Sequence, residues 1–64
     1  MTKYDIEVQL SGQDGNAYNL LAIVRRALID AGVPGAEIQE FITQATSGDY
    51  DNLLRVCMEW CNIT

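Results

Sequence analysis

Histidine is absent from the 64 residues of this chain. Its absence removes the side chain that exchanges a proton most readily near neutral pH and that binds metals most often. A serine nucleophile needs a neighbouring base, and the sequence places none beside Ser11 or Ser47. We therefore expect a protein that is not an enzyme and that uses no cofactor and no metal.

Basic residues are few. Four lysines and arginines stand against nine aspartates and glutamates, which gives a net charge of −5. Such a surface repels nucleic-acid phosphates and anionic lipid, whereas it attracts a basic protein. Arg25 and Arg26 form too small a patch for nucleic acid, and an ion pair with Asp30 or another nearby acid accounts for them. We expect no direct contact with nucleic acid.

Long apolar runs are also lacking. No run approaches the length needed to cross a bilayer, and residues 1–10 lack the uninterrupted apolar stretch of a signal peptide. Cys57 and Cys61 lie one helical turn apart, so a disulfide between them would strain the helix and close almost no loop. These features predict no membrane association, a cytoplasmic location and reduced thiols.

The longest regular stretch is AYNLLAIVRRALIDA, from Ala17 to Ala31. Its apolar residues recur at the three-then-four spacing that places them on one helix face. They are Ala17, Leu20, Leu21, Val24, Ala27, Leu28 and Ala31. Asp14 or Asn16 can cap the start of this helix, and Gly32 can supply the left-handed residue that closes it. We expect this helix at the centre of the core.

Two further helices are indicated downstream. Pro34 and Glu37 favour the start of the second helix, whose apolar residues are Ile38, Phe41, Ile42 and Ala45. Asp49 can cap the third helix. Its predicted apolar face consists of Tyr50, Leu53, Leu54, Cys57, Met58 and Cys61, with Trp60 at one edge. We expect Met58 and the leucines in the core.

Residues 4–10 alternate between apolar and polar side chains, which is the pattern of a half-buried strand. Lys3, Asp5, Glu7 and Gln9 are predicted to face outward. A lone strand leaves its backbone groups unpaired, so it pairs either with an extended segment 61–64 or with another molecule, which would give a homodimer through residues 4–10. The sequence thus predicts a single small acidic domain over residues 1–64. Its class is α+β and mainly helical, with one N-terminal strand, three helices and the option of a short C-terminal strand.

Three motifs, LSGQDGNAYNLL, AGVPGAEIQEF and ATSGDYDNLLRVCMEW, resemble short acidic hypothetical proteins of bacteriophages and bacterial mobile elements. The resemblance spans nearly the whole chain. It implies no activity, but small acidic proteins of such genomes often bind and redirect a host protein. The resemblance therefore implies a non-catalytic protein-binding module that modulates a host protein.

Two capped turns are the candidate binding surfaces, because rigid turns present side chains well. The candidate residues are Gln13, Asp14, Asn16, Asn19, Asp49, Tyr50 and Asp51. Their oxygens could hold a weakly bound calcium or magnesium, but neither run completes a calcium loop, and helix capping explains them. The glycines at 12 and 15 could cradle a phosphate, although Asp14 would repel it and no lysine follows.

Three alternatives stay open beside a protein-binding module. A DNA mimic that inhibits a nucleic-acid enzyme needs a dense row of carboxylates, whereas these acids are spread over every segment. A ribbon-helix-helix dimer pairs the strands of two copies, but Asp5 and Glu7 would then point towards DNA phosphates. Cys57 and Cys61 could supply half of a zinc site shared by two chains, although unpaired cysteines are usually core residues.

Overall fold

The computed structural model describes residues 2–64. Along the chain lie β1 (Glu7–Val8), α1 (Ala17–Asp30), α2 (Gly35–Ala45), α3 (Tyr50–Trp60) and β2 (Asn62–Ile63). This is a mainly helical α+β fold in the predicted order, and the short C-terminal strand is present. Within residues 2–64, no helix has the length and apolar character needed to span a bilayer.

The two strands run parallel, with Glu7 opposite Asn62. The backbone N–H of Asn62 donates to the carbonyl oxygen of Ile6 at 2.8 Å, and that of Thr64 donates to Val8 at 2.9 Å. The segment 61–64 is therefore the partner of the N-terminal strand within the chain. The strand itself is shorter than the alternation over residues 4–10 predicts, because only its middle lies along β2 with regular pairing.

Side-chain caps determine where two of the helices begin. Asn16, rather than Asp14, caps α1, and its Oδ1 accepts from the N–H two residues on at 2.9 Å. Asp49 caps α3 as predicted, and its Oδ1 accepts from the N–H three residues on at 3.0 Å. Gly32 follows α1 with φ +82°, a region that other residues enter only at a steric cost.

Helix α1 contacts α2, α3 and β1, and α3 likewise contacts three elements, namely α1, α2 and β2, so the two helices share the central position that was expected for α1. The predicted face of α1 is buried at Leu20, Val24 and Leu28, whereas Ala31, at the helix end, is exposed. The largest side chains that are fully buried are Phe41, Leu28, Val24, Cys57 and Cys61. Burial of large apolar side chains, at about 1.5 to 3 kcal/mol each, is the main force that holds the fold together.

The buried face of α3 differs from the predicted one. Met58 is 61% exposed, so its expected place in the core is wrong, and Val56 is buried instead at 3% exposure. Leu54, also expected in the core, is only partly buried and lies outside the core cluster. Trp60, predicted at the edge of the face, is also 3% exposed, and its ring lies edge-on to Phe41 with centroids 5.5 Å apart. The reason is that α3 turns the row of Leu53, Val56 and Trp60 towards the core.

The alternation predicts that Lys3 faces outward together with Asp5, Glu7 and Gln9, but the side chain of Lys3 does not lie on that face. Its Nζ lies 4.2 Å from the centroid of the Trp60 ring and 3.8 Å from Oε1 of Glu37. The hydroxyl of Tyr4 donates to the same carboxylate, and this bond raises the pKa of Tyr4 to about 12. The chain bends here because the N–H groups of Lys3 and Tyr4 bond to the carbonyls of Glu59 and Trp60.

Cys57 and Cys61 are free thiols, and both are fully buried. Desolvation raises the pKa of Cys57 to about 11, with a smaller contribution from Cys61, and also raises the pKa of Cys61. The thiolate is the nucleophilic and metal-binding form of cysteine, so burial makes both side chains poor nucleophiles and poor ligands. They pack as small apolar residues of the core.

The assignment of the core predicts opposite results for two neighbouring positions of α3. We expect Val56→Ala to lower the free energy of unfolding by about 2 kcal/mol, because it removes two buried methyl groups. Met58→Ala removes a larger side chain from a water-exposed position, so it should change that free energy by less than about 0.5 kcal/mol. Urea unfolding, followed by the fluorescence of the single tryptophan, measures both. A larger loss for Met58→Ala would contradict the assignment.

The buried thiols predict that the domain loses stability at alkaline pH. The pKa of Cys57 is about 11 in the folded chain and 9 ordinarily. Because the folded value is the higher one, its contribution to stability is complete below pH 9 and is lost as the pH rises to about 11. Urea midpoints measured from about pH 7 to about pH 10.5 test this.

A chain with Cys57→Ala and Cys61→Ala is the control for that experiment. Its stability should begin to fall only near pH 10, where the contribution of Tyr4, with its pKa raised from 10 to about 12, begins to be lost. Alkylation of the wild-type chain by iodoacetamide is an independent test of burial. The thiols of the folded chain should react far more slowly than those of the same chain in concentrated urea. Equal rates in the two conditions would show that the thiols are accessible.

Candidate functional site

The two turns predicted as binding surfaces lie next to each other in the structure. The hydroxyl of Tyr50, at the start of α3, donates to the carbonyl oxygen of Gly15, in the loop before α1, at 2.6 Å. This bond joins segments that are 35 residues apart in the sequence. The loop before α1 and the start of α3 therefore form one continuous surface.

A cleft of about 230 Å³ opens at this junction. It lies between the first turn of α1, the end of α2 and the start of α3. Its lining residues are Ala17, Tyr18, Ala45, Thr46, Gly48, Asp49, Tyr50 and Leu53. Ala45 and Leu53 are buried and form an apolar floor, whereas Tyr18 is 81% exposed and Tyr50 is 42% exposed. The cleft thus has an apolar floor and two aromatic rings at its rim.

Side-chain hydrogen bonds hold the wall that the turn between α2 and α3 contributes. The amide Nδ2 of Asn52 donates to the carbonyl oxygen of Gln44 at 2.9 Å, and Oγ of Ser47 donates to the same oxygen at 2.7 Å. Position 48 has no room for a side chain, because a Cβ there would lie 2.9 Å from Cβ of Asn52. These bonds order the wall, and Ser47 is one of the residues that hold it.

Two of the candidate residues, Asp49 and Tyr50, line the cleft. Three others form hydrogen bonds in the loop before α1 and in the first turn of that helix. Oδ1 of Asp14 accepts from the backbone N–H of Asn16 at 3.2 Å, and Nδ2 of Asn19 donates to the carbonyl oxygen of Asp14 at 2.9 Å. Since Asn16 caps α1, these three side chains support the surface by ordering the loop that precedes it.

The remaining candidates, Gln13 and Asp51, are exposed but lie outside the lining of the cleft. The N–H of Gln13 donates to the carbonyl oxygen of Leu10 at 3.1 Å, so its backbone forms part of a turn. Asp51 lies in the first turn of α3, where a carboxylate interacts favourably with the helix dipole. The side chains of both residues remain open to contact with a partner.

Tyr18 is the residue that the sequence reasoning missed. The signal was present, because position 18 falls inside the helical stretch but outside its apolar stripe. A large aromatic side chain at such a position must face solvent unless another element covers it. Ala45 and Thr46 carried no comparable signal, because only the packing of α2 brings them to the cleft.

The cleft presents few kinds of chemical group. It offers two phenol rings, one carboxylate, the hydroxyl of Thr46, which donates to the carbonyl oxygen of Ile42 at 2.7 Å, and a small apolar floor. Within residues 2–64, no group of three or more aspartate, glutamate or cysteine side chains is arranged to hold a metal ion. The carboxylate of Asp49 already accepts the cap bond of α3, so it also shapes the cleft.

The chain matches no protein-family model, no curated protein and no solved structure. Its function is therefore inferred from the geometry of the cleft and of the surfaces around it.

Proposed function

We propose that this chain is a non-catalytic protein-binding module whose contact surface is the cleft between Tyr18 and Tyr50. The observation that carries the proposal is the pair of exposed tyrosine rings beside an apolar floor of Ala45 and Leu53. Tyrosine supplies a large and rigid contact area at low entropic cost, and it is enriched among the residues that dominate binding energies. An apolar side chain of the partner would fill the cleft between the two rings.

The surface is already ordered, and this favours binding. The hydroxyl of Tyr50 is held by Gly15, while Asn16 and Asp49 cap the two helices that begin at the cleft. Binding therefore loses little conformational entropy in ordering the backbone, so more of the contact energy appears as affinity. Single exposed apolar residues are normal on protein surfaces, whereas two aromatic rings at one cleft offer a partner a larger continuous contact surface.

The charge around the cleft favours a basic partner. Asp14, Asp49 and Asp51 lie on or beside this surface. The ion pairs among residues 2–64 are Lys3 with Glu37, Arg26 with Asp30 and Arg55 with Glu59. None of them involves the three aspartates. Asp14 and Asp49 each use Oδ1 to accept a backbone N–H, so the carboxylate of Asp51 and the second oxygens of the other two are left for lysines or arginines of a partner, which would speed association and orient it.

The resemblance to small acidic phage proteins supports a host protein as the partner. The free, buried thiols of Cys57 and Cys61 support action in the cytoplasm, where thiols are kept reduced. The proposed role is therefore the modulation of a basic host protein by direct binding. No step of that role requires a reaction at the cleft.

DNA mimicry and homodimerisation are weaker proposals. Mimicry is supported by the net charge of −5, but the exposed tyrosines and the apolar floor have no counterpart in a DNA backbone. Homodimerisation through residues 4–10, including the ribbon-helix-helix arrangement, loses its main support because β2 already pairs with this strand. A sedimentation measurement at micromolar concentration tests the dimer directly.

The proposal predicts that one exposed ring carries a large share of the affinity. We expect Tyr18→Ala to weaken binding of a captured partner by roughly thirtyfold, because the loss of an anchoring ring costs about 2 kcal/mol. The stability of the chain should change by less than about 0.5 kcal/mol, since the ring is already in water. The partner is captured from host lysate on immobilised chain, and its affinity for each variant is then measured by calorimetry.

Met58→Ala is the matched control, because Met58 is also strongly exposed and lies about 12 Å further along α3 than Tyr50. It should leave the affinity unchanged. Equal affinities for the wild type and Tyr18→Ala would contradict the proposal. The dependence of the affinity on salt distinguishes this proposal from DNA mimicry. Between about 50 and 200 mM salt, the affinity of a contact built on tyrosine rings should fall less than about tenfold, whereas imitation of phosphates predicts a fall of about a thousandfold or more.

A further inference from the structure

We propose that the outer edge of the extended segment 5–9, which contains β1, is a second docking site, which binds an extended segment of a partner protein that has lysine or arginine at alternate positions. The inference does not depend on the cleft, because the edge and the cleft are built from different residues. It follows from the direction of the backbone groups of residues 5–9 and from the charge of the side chains beside them.

The parallel pairing uses only one side of the N-terminal strand. Ile6 and Val8 accept from β2, and the N–H of Leu10 donates to the carbonyl oxygen of Thr64 at 2.9 Å. Because backbone groups alternate in direction along a strand, the N–H and C=O groups of residues 5, 7 and 9 point to the opposite edge. Within residues 2–64, none of those groups takes part in a hydrogen bond outside the helices and the strand pair.

The side chains of this outer edge are acidic or polar. Asp5, Glu7 and Gln9 are all exposed. Oδ1 of Asp5 accepts from Nδ2 of Asn62 at 2.9 Å, but the ion pairs among residues 2–64 include neither Asp5 nor Glu7. The basic residue nearest in sequence, Lys3, is turned towards Trp60 and Glu37. The edge therefore presents two carboxylates without a basic partner.

A second copy of the chain is a poor occupant of this edge. Full antiparallel overlap of residues 5–9 in two copies places Glu7 opposite Glu7 and Asp5 opposite Gln9. Like charges directly opposite each other destabilise a strand pair, and charged side chains on an edge are a common way to prevent self-association. The same two carboxylates favour a strand from another protein if that strand is basic.

A basic strand would satisfy the edge in two ways. Its backbone would bond to the outward N–H and C=O groups of Asp5, Glu7 and Gln9, which gives affinity without sequence preference. Its lysines or arginines would lie across from the carboxylates of Asp5 and Glu7, which gives selectivity. Addition of this strand would also widen a sheet of two strands to three, the size at which sheets become independently stable.

The experiment uses the full chain and a short capped peptide that alternates lysine and valine. Nuclear magnetic resonance of the isotope-labelled chain measures amide exchange with and without the peptide. We expect exchange of the amides of Asp5, Glu7 and Gln9 to slow by about tenfold or more when the peptide is bound, because they become hydrogen-bonded. A peptide with glutamate in place of lysine should leave their exchange unchanged.

Two variants separate the charge from the backbone contact. Glu7→Gln should weaken binding of the lysine peptide about two- to fivefold, the range expected for one cross-strand charge pair. Asp30→Asn, which removes a carboxylate from the far end of α1, should leave it unchanged. Glu7→Pro should abolish binding, because proline removes the outward N–H, whereas the bonds to β2 come from the neighbouring residues.

Three outcomes would overturn the inference. One is unchanged amide exchange at residues 5, 7 and 9 with the peptide bound. Another is peptide binding that Tyr18→Ala abolishes and Glu7→Pro does not, which would place the peptide at the cleft. The third is a solution dimer that forms without peptide and is lost in Glu7→Pro, which would assign the edge to a second copy. None of these tests the cleft against a host partner, so the two proposals fail independently.

Discussion

Burial of the Trp60 ring joins the two ends of the chain to the helices. The ring packs edge-on against Phe41 of α2 and lies 5.8 Å from the ring of Tyr4, near the N-terminus. Its Nε1 donates to Oε1 of Gln44 at 3.2 Å, so the polar atom of the indole is satisfied as well. In a domain of this size, where the core is small relative to the surface, one buried aromatic ring contributes a large share of the apolar area. Directly after it, the chain leaves α3 and pairs with β1, so the position of the sheet depends on the position of this ring.

The two ends of α3 therefore have different roles: one end contributes to the core, and the other carries the candidate binding surface. Helix α3 begins at the cleft with Tyr50 and ends in the core with Trp60, and its length of 11 residues corresponds to about 16 Å. The buried residues of α3 extend from Leu53 to Trp60, while its first turn is ordered by the cap at Asp49 and by the bond from Tyr50 to Gly15. Because caps and turn bonds involve little apolar area, exposed rings such as Tyr18 can be placed there at little cost to stability. The location of the candidate binding surface thus follows from how the chain stabilises itself.

Features that depend on neighbouring residues could be predicted from the sequence. The cap at Asp49, the left-handed Gly32 and the ion pair of Arg26 with Asp30, at 3.1 Å, each need only residues a few positions apart. The face of α3 could not be predicted in the same way, because its apolar residues lie on more than one side of the helix. Packing against the other elements decides between them, and it buries Val56 rather than Met58. The sequence left open whether residues 4–10 pair with residues 61–64 or with another molecule, because a segment of four residues is too short to show the alternation of a strand.

The candidate site shows the same division between local and long-range information. Turn chemistry correctly indicated two ordered surfaces, but only the folded chain brings Tyr50 to Gly15 and joins them. It also separates residues that build the surface from residues that are free to bind. Asp14 and Asn16 were predicted as contact groups, yet their oxygens accept backbone N–H groups, and a side chain engaged in this way has less capacity for a partner. Residues on which the fold does not depend are free to face a partner, and at this cleft the clearest example is Tyr18, which lies outside the apolar stripe of its helix and is not part of the core.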